Sequence, residues 1–209
     1  MYSKIQYISQ GNTALQQLNN IKSALDAGCN WIQLRYKNAI ENEVLQMALQ
    51  VKSVTERYNC TYIINDFPHI AKEVDADGLH LGLDDMPIAQ ARKIIGPEKI
   101  VGGTANTLAH VLQRCDEHCD YIGLGPYRFT ATKEVLSPIL GLDGYALIMN
   151  HLKEHNIQTP VYAIGGIKEK DIPAILQTGV YGVALSGLIT NNPHKKELLT
   201  NLNTLCSHY

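Results

Sequence analysis

The sequence predicts an α/β protein folded as a single (β/α)8 TIM barrel, and three observations support that prediction. Short apolar runs alternate strictly with amphipathic segments along the whole chain. Runs as apolar as "YIGLG" and "VYAIGG" are typical of parallel strands covered by helices. Most of these runs end on polar or glycine residues, which a barrel would gather at one rim to build one site. An open, doubly wound sheet is the alternative architecture for the same pattern.

The alternation predicts eight strands and eight helices, and therefore one domain over residues 1–209. The strands are predicted at residues 5–9, 31–37, 62–66, 78–82, 100–104, 121–125, 161–165 and 182–186. The helices are predicted near residues 14–27, 42–58, 68–74, 87–95, 107–118, 143–155, 169–178 and 194–205.

One connection is much longer than the others. Residues 126–142 read "PYRFTATKEVLSPILGL" and show little periodicity, whereas connections in α/β units usually need about two to six residues. A long excursion at the catalytic end of a barrel is typical of a binding loop, and a tolerated surface insertion is the alternative. Because Thr130, Thr132 and Lys133 cluster within it, we interpret it as an active-site loop.

Composition excludes several classes of protein. Hydrophobic residues make up 45% and charged residues 18% of the chain, which is ordinary for a globular protein and excludes wholesale disorder. A net charge of −2 gives no electrostatic reason to expect nucleic acid as a partner. No run approaches the roughly 20 apolar residues of a membrane helix, and the first residues lack the layout of a signal peptide. We expect a cytoplasmic protein with reduced thiols and no membrane partner, and we leave open whether it forms a homo-oligomer.

The stretch "QLRYK" carries the first candidate binding groups. Gln33, Arg35 and Lys37 alternate with apolar neighbours, so on a strand all three would share one face. A barrel interior is normally filled with branched apolar side chains, so polar groups there indicate ligand binding; a solvent-exposed edge face is the alternative. With Lys133 from the long loop, they predict an anion site for phosphate or pyrophosphate.

Two neighbouring strands end on acidic residues. Asn65 and Asp66 follow one strand, and Asp84 and Asp85 follow the next. Carboxylates beside an anion site are the arrangement expected for Mg²⁺, which takes one or two carboxylates, waters and phosphate oxygens. Helix capping is an equally good explanation from the spacing alone, because each acidic stretch lies just before a proline that could open a helix.

The last two strands suggest a second anion site. "AIGGI" places Gly165 and Gly166 after one strand, and "ALSG" places Ser186 and Gly187 at the end of the other. The corresponding loops of many barrels bind phosphate through backbone N–H groups, although tight turns also require glycine. His80 lies within a predicted strand, and we interpret it as a hydrogen-bonded barrel residue.

Taken together, these motifs resemble the thiamine phosphate synthase (thiamine-phosphate pyrophosphorylase) family. The residues that carry the resemblance are "QLRYK", "IINDF", "ADGLHLGLDD", "VGGT", "DYIGLGPYRFTATK", "PVYAIGGI" and "GVALSGLI", in the family's order over nearly the whole chain. The most specific are the Thr-x-Thr-Lys stretch of the loop and the Asn-Asp and Gly-x-x-Asp pair.

The resemblance implies an activity and a set of site residues. The family joins hydroxymethylpyrimidine diphosphate to a thiazole phosphate, giving thiamine phosphate and pyrophosphate by Mg²⁺-assisted dissociative substitution. For the pyrimidine diphosphate it implies Gln33, Leu34, Arg35, Tyr36, Lys37, Asn65, Thr104 and Lys133. For the thiazole phosphate it implies Thr130, Ala131, Thr132, Gly166, Leu185 and Ser186. Asp66 and Asp85 would bind Mg²⁺, Asp84 would be a solvated neighbour, and the catalytic role falls to Arg35, Lys37 and Lys133.

Three other functions share the same expected fold. A different phosphate-binding barrel, such as an isomerase or epimerase, would need a clear acid/base pair across the site, which the sequence does not offer. A thiazole tautomerase of the same superfamily would keep the thiazole phosphate site but would not need the diphosphate and metal groups, which are present here. A non-catalytic thiamine-phosphate-binding barrel would be expected to lack the loop lysine or a metal aspartate. The chain departs from the family pattern at Tyr36, where Glu is common, and at Leu83, where Gln is frequent.

Overall fold

The computed structural model describes residues 2–129 and 138–209 and confirms the (β/α)8 barrel. Eight parallel strands pair in chain order and close, with the first strand bonded to both the second and the last. The strands are β1 Ile5–Ile8, β2 Trp31–Leu34, β3 Thr61–Asn65, β4 Gly78–Leu81, β5 Ile100–Ala105, β6 Tyr121–Leu124, β7 Val161–Ile164 and β8 Gly182–Leu185.

Helices follow the strands around the outside of the barrel. They are α1 Ala14–Asp26, α2 Glu41–Thr55, α3 Pro68–Glu73, α4 Ile88–Ile95, α5 Leu108–Asp116, α6 Gly141–Glu154, α7 Ile172–Gln177, α8 Gly187–Thr190 and α9 Lys195–Cys206. The short α8 and a single 3₁₀ turn at Glu169–Asp171 were not predicted from the sequence. Both are too short to give a periodic hydrophobic pattern.

The prediction that β2 continues to residue 37 was wrong. The strand ends at Leu34, and the backbone of Arg35 bonds to side chains instead of to a neighbouring strand. Its N–H donates to Ser9 Oγ at 3.0 Å, and its carbonyl accepts from Gln17 Nε2 at 3.1 Å. These two bonds turn the chain outward at the rim, so the alternation of side chains that a strand would impose stops before Arg35.

The core has two parts. The larger part lies between strands and helices, where outward strand residues such as Leu79 and Val101 meet helix residues such as Met47 and Ile88. The smaller part lies inside the barrel and is made of Ile8, Trp31, Ile63, Tyr121, Tyr162 and Ala184. Trp31 contacts Tyr121 and Tyr162 edge to face, each with ring centroids 5.1 Å apart, so aromatic rings fill the barrel below its rim.

Missing side chains on β5 and β6 make room for large ones from neighbouring strands. Gly102 pairs in register with His80 on one side and with Tyr121 on the other. A Cβ on Gly102 would overlap the Tyr121 ring and would lie 2.6 Å from His80 Nδ1. One on Gly123 would lie 3.2 Å from His80 Cε1. The two glycines therefore create the space in which a histidine and a tyrosine share the barrel interior.

Within residues 2–129 and 138–209, no helix is long and apolar enough to cross a membrane.

Gly102→Ala should destabilise the protein by about 1–3 kcal/mol or more, because an extra methyl group in a tightly packed interior forces its neighbours to move. Chemical denaturation monitored by circular dichroism measures this change. Gly187→Ala is the matched control, since a Cβ there meets its nearest atom, Asn191 Nδ2, at an ordinary 3.5 Å. Equal stability of the two variants would contradict the role of Gly102.

Candidate active site

A cavity of about 480 Å³ opens at the carboxyl ends of the strands. Its walls include residues from all eight strands and from several of the loops that follow them. The polar side chains that line it are Gln6, Ser9, Gln10, Gln33, Arg35, Asn65, His80, Thr104, Asn106, Ser186 and Asn191. The barrel therefore has a cavity with polar walls at the end where TIM-barrel enzymes have their active sites.

Gln33 offers a hydrogen-bond acceptor at the bottom of this cavity. Its side chain is buried, and its Nε2 donates to Asn65 Oδ1 at 2.7 Å. Its Oε1 is buried and accepts no hydrogen bond from any described residue. An unpaired buried acceptor costs about 1–3 kcal/mol, so a ligand that donates to this oxygen would relieve a real penalty.

Positive charge lies on the side of the rim that follows β2. Arg35 is partly buried and lines the cavity, and Lys37 is exposed two residues later. Burial lowers the pKa of the Arg35 guanidinium, and the nearby Asp66 carboxyl partly opposes that change. Arginine stays protonated despite such a shift, so the rim keeps a fixed cation aimed at the cavity.

Asp66 and Asp85 form a close pair of carboxyl groups beside these cations. Although Asp66 as a residue is exposed, its carboxyl is surrounded by the protein at the barrel mouth. That desolvation, followed by the hydrogen bond and the charge of Asp85, raises the pKa of Asp66 to about 7, while Arg35 and Lys37 lower it. The pair therefore holds a proton at this point of the rim more readily than a free aspartate would.

The helix-capping explanation of these aspartates does not hold. The cap position of α3 is Phe67 and that of α4 is Pro87, and neither helix receives a side-chain cap bond. Asp85 Oδ2 instead accepts the backbone N–H of Gly82 at 2.6 Å. Asp66 takes a left-handed backbone conformation with φ 68°, which turns its side chain at the strand end. Asp84 is exposed at the surface.

The donor set suits a magnesium ion better than a zinc ion. Among the residues that the structure describes, there is no group of three or more His, Cys, Asp or Glu side chains that could hold a metal. A zinc site normally needs three or four such ligands. Two carboxyl groups at one point are enough for Mg²⁺, which often takes its remaining ligands from water and substrate.

A tight glycine turn follows β7. Gly165 and Gly166 have φ values of 96° and 67°, which favour glycine, and a Cβ on Gly166 would lie 2.5 Å from Arg128 Cγ. The N–H of Gly166 donates to no described residue, whereas its carbonyl accepts from Arg128 Nη1 at 2.9 Å. Arg128 also pairs with Asp171, so an ion pair holds this turn at the cavity wall.

Both described ends of the long connection are fixed at the rim. Tyr127 N–H donates to Ile164 carbonyl at 2.9 Å, and Arg128 N–H donates to Gly165 carbonyl at 3.1 Å. On the returning side, Leu140 N–H donates to Pro126 carbonyl at 3.0 Å. The connection therefore starts and finishes beside the glycine turn.

Inside the barrel, four polar side chains form a continuous chain of hydrogen bonds. Gln6 Nε2 lies 3.1 Å from the Tyr121 hydroxyl, which lies 3.1 Å from His80 Nδ1. His80 Nε2 lies 3.0 Å from Thr104 Oγ1 at the cavity surface. The contacts of His80 agree with its interpretation as a hydrogen-bonded barrel residue.

Comparisons with known proteins agree with this geometry. Residues 7–189 match the family model described as thiamine monophosphate synthase. A thiamine-phosphate synthase of Flavobacterium psychrophilum is 54% identical over 203 residues, covering 97% of this chain and 98% of that protein. One from Bacteroides thetaiotaomicron is 48% identical over 185 residues, covering 88% of each chain. A solved thiamine phosphate pyrophosphorylase from Pyrococcus furiosus superposes with a TM-score of 0.83 at 28% identity, covering 98% of this chain and 96% of that one.

The chain belongs to the thiamine monophosphate synthase family. This membership confirms the resemblance inferred from the motifs. The matched region runs from within β1 to within α8, so it contains all the strand ends that form the rim.

The structure brings many of the residues predicted from the sequence to one rim. Those that line the cavity are Gln33, Arg35, Asn65, Thr104, Gly166, Leu185 and Ser186. Lys37, Asp66 and Asp85 lie beside it in the charge cluster described above. Leu34 is buried in the outer core, and Tyr36 packs against that core from the rim, so neither side chain lines the cavity. Thr130, Ala131, Thr132 and Lys133 lie outside the described residues.

Sequence reasoning missed the polar residues of β1 and of the segment after β5. Gln6 and Gln10 lie on the same alternating face as Ile8, and Gln10 Oε1 accepts from Ser186 Oγ at 3.0 Å. The alternation in "IQYISQ" carried the same signal as "QLRYK". Asn106, whose Nδ2 donates to Gly125 carbonyl, is in a turn, where nothing in the sequence marks it.

Asp66→Asn should make the metal-free protein more stable at pH 8 and leave it nearly unchanged near pH 4. The pKa of Asp66 rises from 3.8 to about 7 on folding, so the folded protein holds the proton more tightly than the unfolded chain. That contribution to stability is present at acid pH and is lost as the pH rises through about 7. Asparagine avoids the loss and tolerates the left-handed backbone. Urea denaturation in EDTA at both pH values measures the difference.

Asp84→Asn is the control for this experiment, because Asp84 is exposed and sits next to the pair without being one of its members. A loss of stability in Asp66→Asn at pH 8, or an equal gain in both variants, would contradict the raised pKa of Asp66.

Proposed function

We propose that this protein is a thiamine phosphate synthase, a transferase that joins hydroxymethylpyrimidine diphosphate to thiazole phosphate and releases pyrophosphate. The observation that carries the proposal is the placement of a cationic group, a carboxylate pair and a glycine turn around one cavity in a chain of this family. Those three features suit two phosphorylated small molecules bound side by side.

The pyrimidine diphosphate is assigned to the β2, β3 and β5 side of the cavity. Gln33, Asn65 and Thr104 would contact the ring, since their polar groups line the cavity. Arg35 and Lys37 would contact the diphosphate, because their positively charged groups lie at the rim near Asp66. The guanidinium fork of arginine fits two oxyanion oxygens at once.

Asp66 and Asp85 are the residues proposed to hold Mg²⁺. The closeness and desolvation of the two carboxyl groups support this assignment, because a divalent cation would offset the cost of keeping both of them ionised there. When bound, Mg²⁺ would neutralise part of the negative charge on the leaving diphosphate. The Gly82 N–H donates to Asp85 Oδ2 and so helps to orient this carboxyl group beside Asp66.

The thiazole phosphate is assigned to the glycine turn after β7 and the end of β8. The Gly166 N–H lies at the cavity wall without a described partner, and Leu185 and Ser186 lie beside it. Loops after the last two strands bind phosphate in many barrels. The connection 126–142 is proposed as the active-site loop, with Thr130, Ala131 and Thr132 at this phosphate and Lys133 at the diphosphate.

The proposed chemistry is a dissociative substitution. The bond between the pyrimidine methylene carbon and the diphosphate oxygen breaks, and its electron pair leaves with pyrophosphate. The electron-rich aminopyrimidine stabilises the resulting cation, and the thiazole nitrogen then donates its lone pair to form the new carbon–nitrogen bond. The protein's tasks are to stabilise charge on the leaving group through Arg35, Lys37 and Lys133, to align the two rings and to keep water away.

A reconstitution assay tests the function directly. The purified protein is incubated with both substrates and Mg²⁺, and the formation of thiamine phosphate and pyrophosphate is measured. Equal amounts of the two products are expected. Absence of product from pure substrates would refute the synthase proposal, and interconversion of thiazole phosphate isomers in its place would assign the chain to the tautomerase branch.

Asp85→Asn should lower kcat by roughly 100-fold or more and raise the Mg²⁺ concentration needed for half-maximal rate, whereas Asp84→Asn should do little. Asparagine can still accept the Gly82 N–H through its carbonyl oxygen, so the local turn is retained and only the charge is lost. Steady-state kinetics over a magnesium titration give both quantities. Similar losses in the two variants would overturn the choice of Asp85 as the ligand.

A further inference from the structure

The hydrogen-bond chain inside the barrel has a direction, and that direction follows from which atoms can donate. Tyr121 is fully buried, and its hydroxyl has two described partners, Gln6 Nε2 and His80 Nδ1. The amide nitrogen of Gln6 can only donate, so it occupies a lone pair of the hydroxyl oxygen. The remaining partner of the hydroxyl proton is His80 Nδ1, because leaving a buried donor unpaired is costly.

The direction of the next hydrogen bond, from His80 to Thr104 at the cavity, follows from the protonation of the His80 ring. Because Nδ1 accepts from Tyr121, the ring carries its proton on Nε2. Nε2 therefore donates to Thr104 Oγ1, which lies 3.0 Å away. With its oxygen accepting this bond, the Thr104 hydroxyl is left to donate its own proton to an acceptor in the cavity that it lines.

The packing of the barrel holds the members of this chain in place. His80 and Tyr121 belong to β4 and β6 and reach each other across Gly102 of β5, which pairs in register with both. The Tyr121 ring is fixed from below by Trp31 and Tyr162, at centroid distances of 5.1 and 5.7 Å. The hydroxyl of Tyr121 therefore has little freedom to turn to another partner.

We propose that Tyr121, supported by Gln6, is a positioning residue that fixes the Nε2–H tautomer of His80 and so makes the Thr104 hydroxyl a hydrogen-bond donor into the cavity. The ligand group that this donor selects is a neutral acceptor with a lone pair in the ring plane, such as a ring nitrogen of a pyrimidine. This inference rests on the proposed function for the identity of the substrate, but the direction of the chain is a property of the protein alone.

The direction of the hydrogen bonds is tested first in the absence of substrate, through the protonation of the two His80 ring nitrogens. Nitrogen-correlated NMR of the histidine side chains in the ligand-free protein distinguishes protonated from unprotonated ring nitrogens. The chain has eight histidines, so the His80 signals are assigned by their loss in His80→Asn. An unprotonated Nδ1 together with a protonated Nε2 is expected. A proton on Nδ1, alone or together with one on Nε2, would overturn the proposal whether or not the protein is a synthase.

Tyr121→Phe then tests the positioning role, with Tyr162→Phe as the matched control. Both changes remove one hydroxyl from the same aromatic cluster, but the Tyr162 hydroxyl donates to Ser3 carbonyl at 2.6 Å, away from the hydrogen-bond chain that contains His80. Loss of the Tyr121 hydroxyl should let the His80 ring exchange between tautomers, which the same NMR experiment detects. The ring signals in Tyr162→Phe should match those of the unaltered protein.

Kinetics separate positioning from general loss of structure. In Tyr121→Phe, the KM for the pyrimidine diphosphate should rise roughly five- to tenfold, the scale of one hydrogen bond, while the KM for thiazole phosphate stays within about twofold. Tyr162→Phe should change neither value. Equal effects on both KM values, or equal effects of the two variants, would reduce Tyr121 to a packing residue. If the unaltered protein makes no thiamine phosphate, the proposed function fails and the NMR result stands by itself.

Discussion

Closure of the sheet is the constraint on which the rest of the structure depends. Eight strands of only four to six residues each are too short to hold a site along their length. Because they are parallel and closed, all their carboxyl ends meet at one rim, and residues far apart in sequence become neighbours there. Arg35 after β2, Asp66 after β3 and Gly166 after β7 lie around one mouth for this reason alone.

The rim holds several arrangements that do not favour the folded protein without ligand. The Asp66 carboxyl is desolvated beside Asp85, Gln33 Oε1 is buried without a described donor, and the N–H of Gly166, which lines the cavity, has no acceptor among the described residues. In the proposed function, each of these groups receives a charge or a hydrogen bond from a ligand. The outer core contains many buried aliphatic side chains. The free energy that their burial contributes to folding is large compared with the cost of one or two unfavourable groups at the rim.

The sequence predicted the barrel and most of the rim, and its errors have physical causes. Alternation of apolar runs and helices identified the eight strands, because that pattern is set locally by burial. The end of β2 was misplaced because two side chains from elsewhere, Ser9 and Gln17, capture the backbone of Arg35. The choice between cap and ligand for Asp85 was open from spacing, because the position of the first turn of α4 depends on tertiary packing that the sequence does not display.

The barrel interior shows why a tyrosine can matter without touching a substrate. Gly102 and Gly123 have no side chains at this level of the barrel, so His80 and Tyr121 occupy the space that larger residues at those positions would fill. Tyr121 is fully buried in this layer, and pairing its hydroxyl proton with His80 sets the direction of the bonds from Gln6 to Thr104. Hydrogen-bond satisfaction in the core thus decides whether the cavity presents a donor or an acceptor at Thr104, and the fold itself contributes to the selectivity of the site.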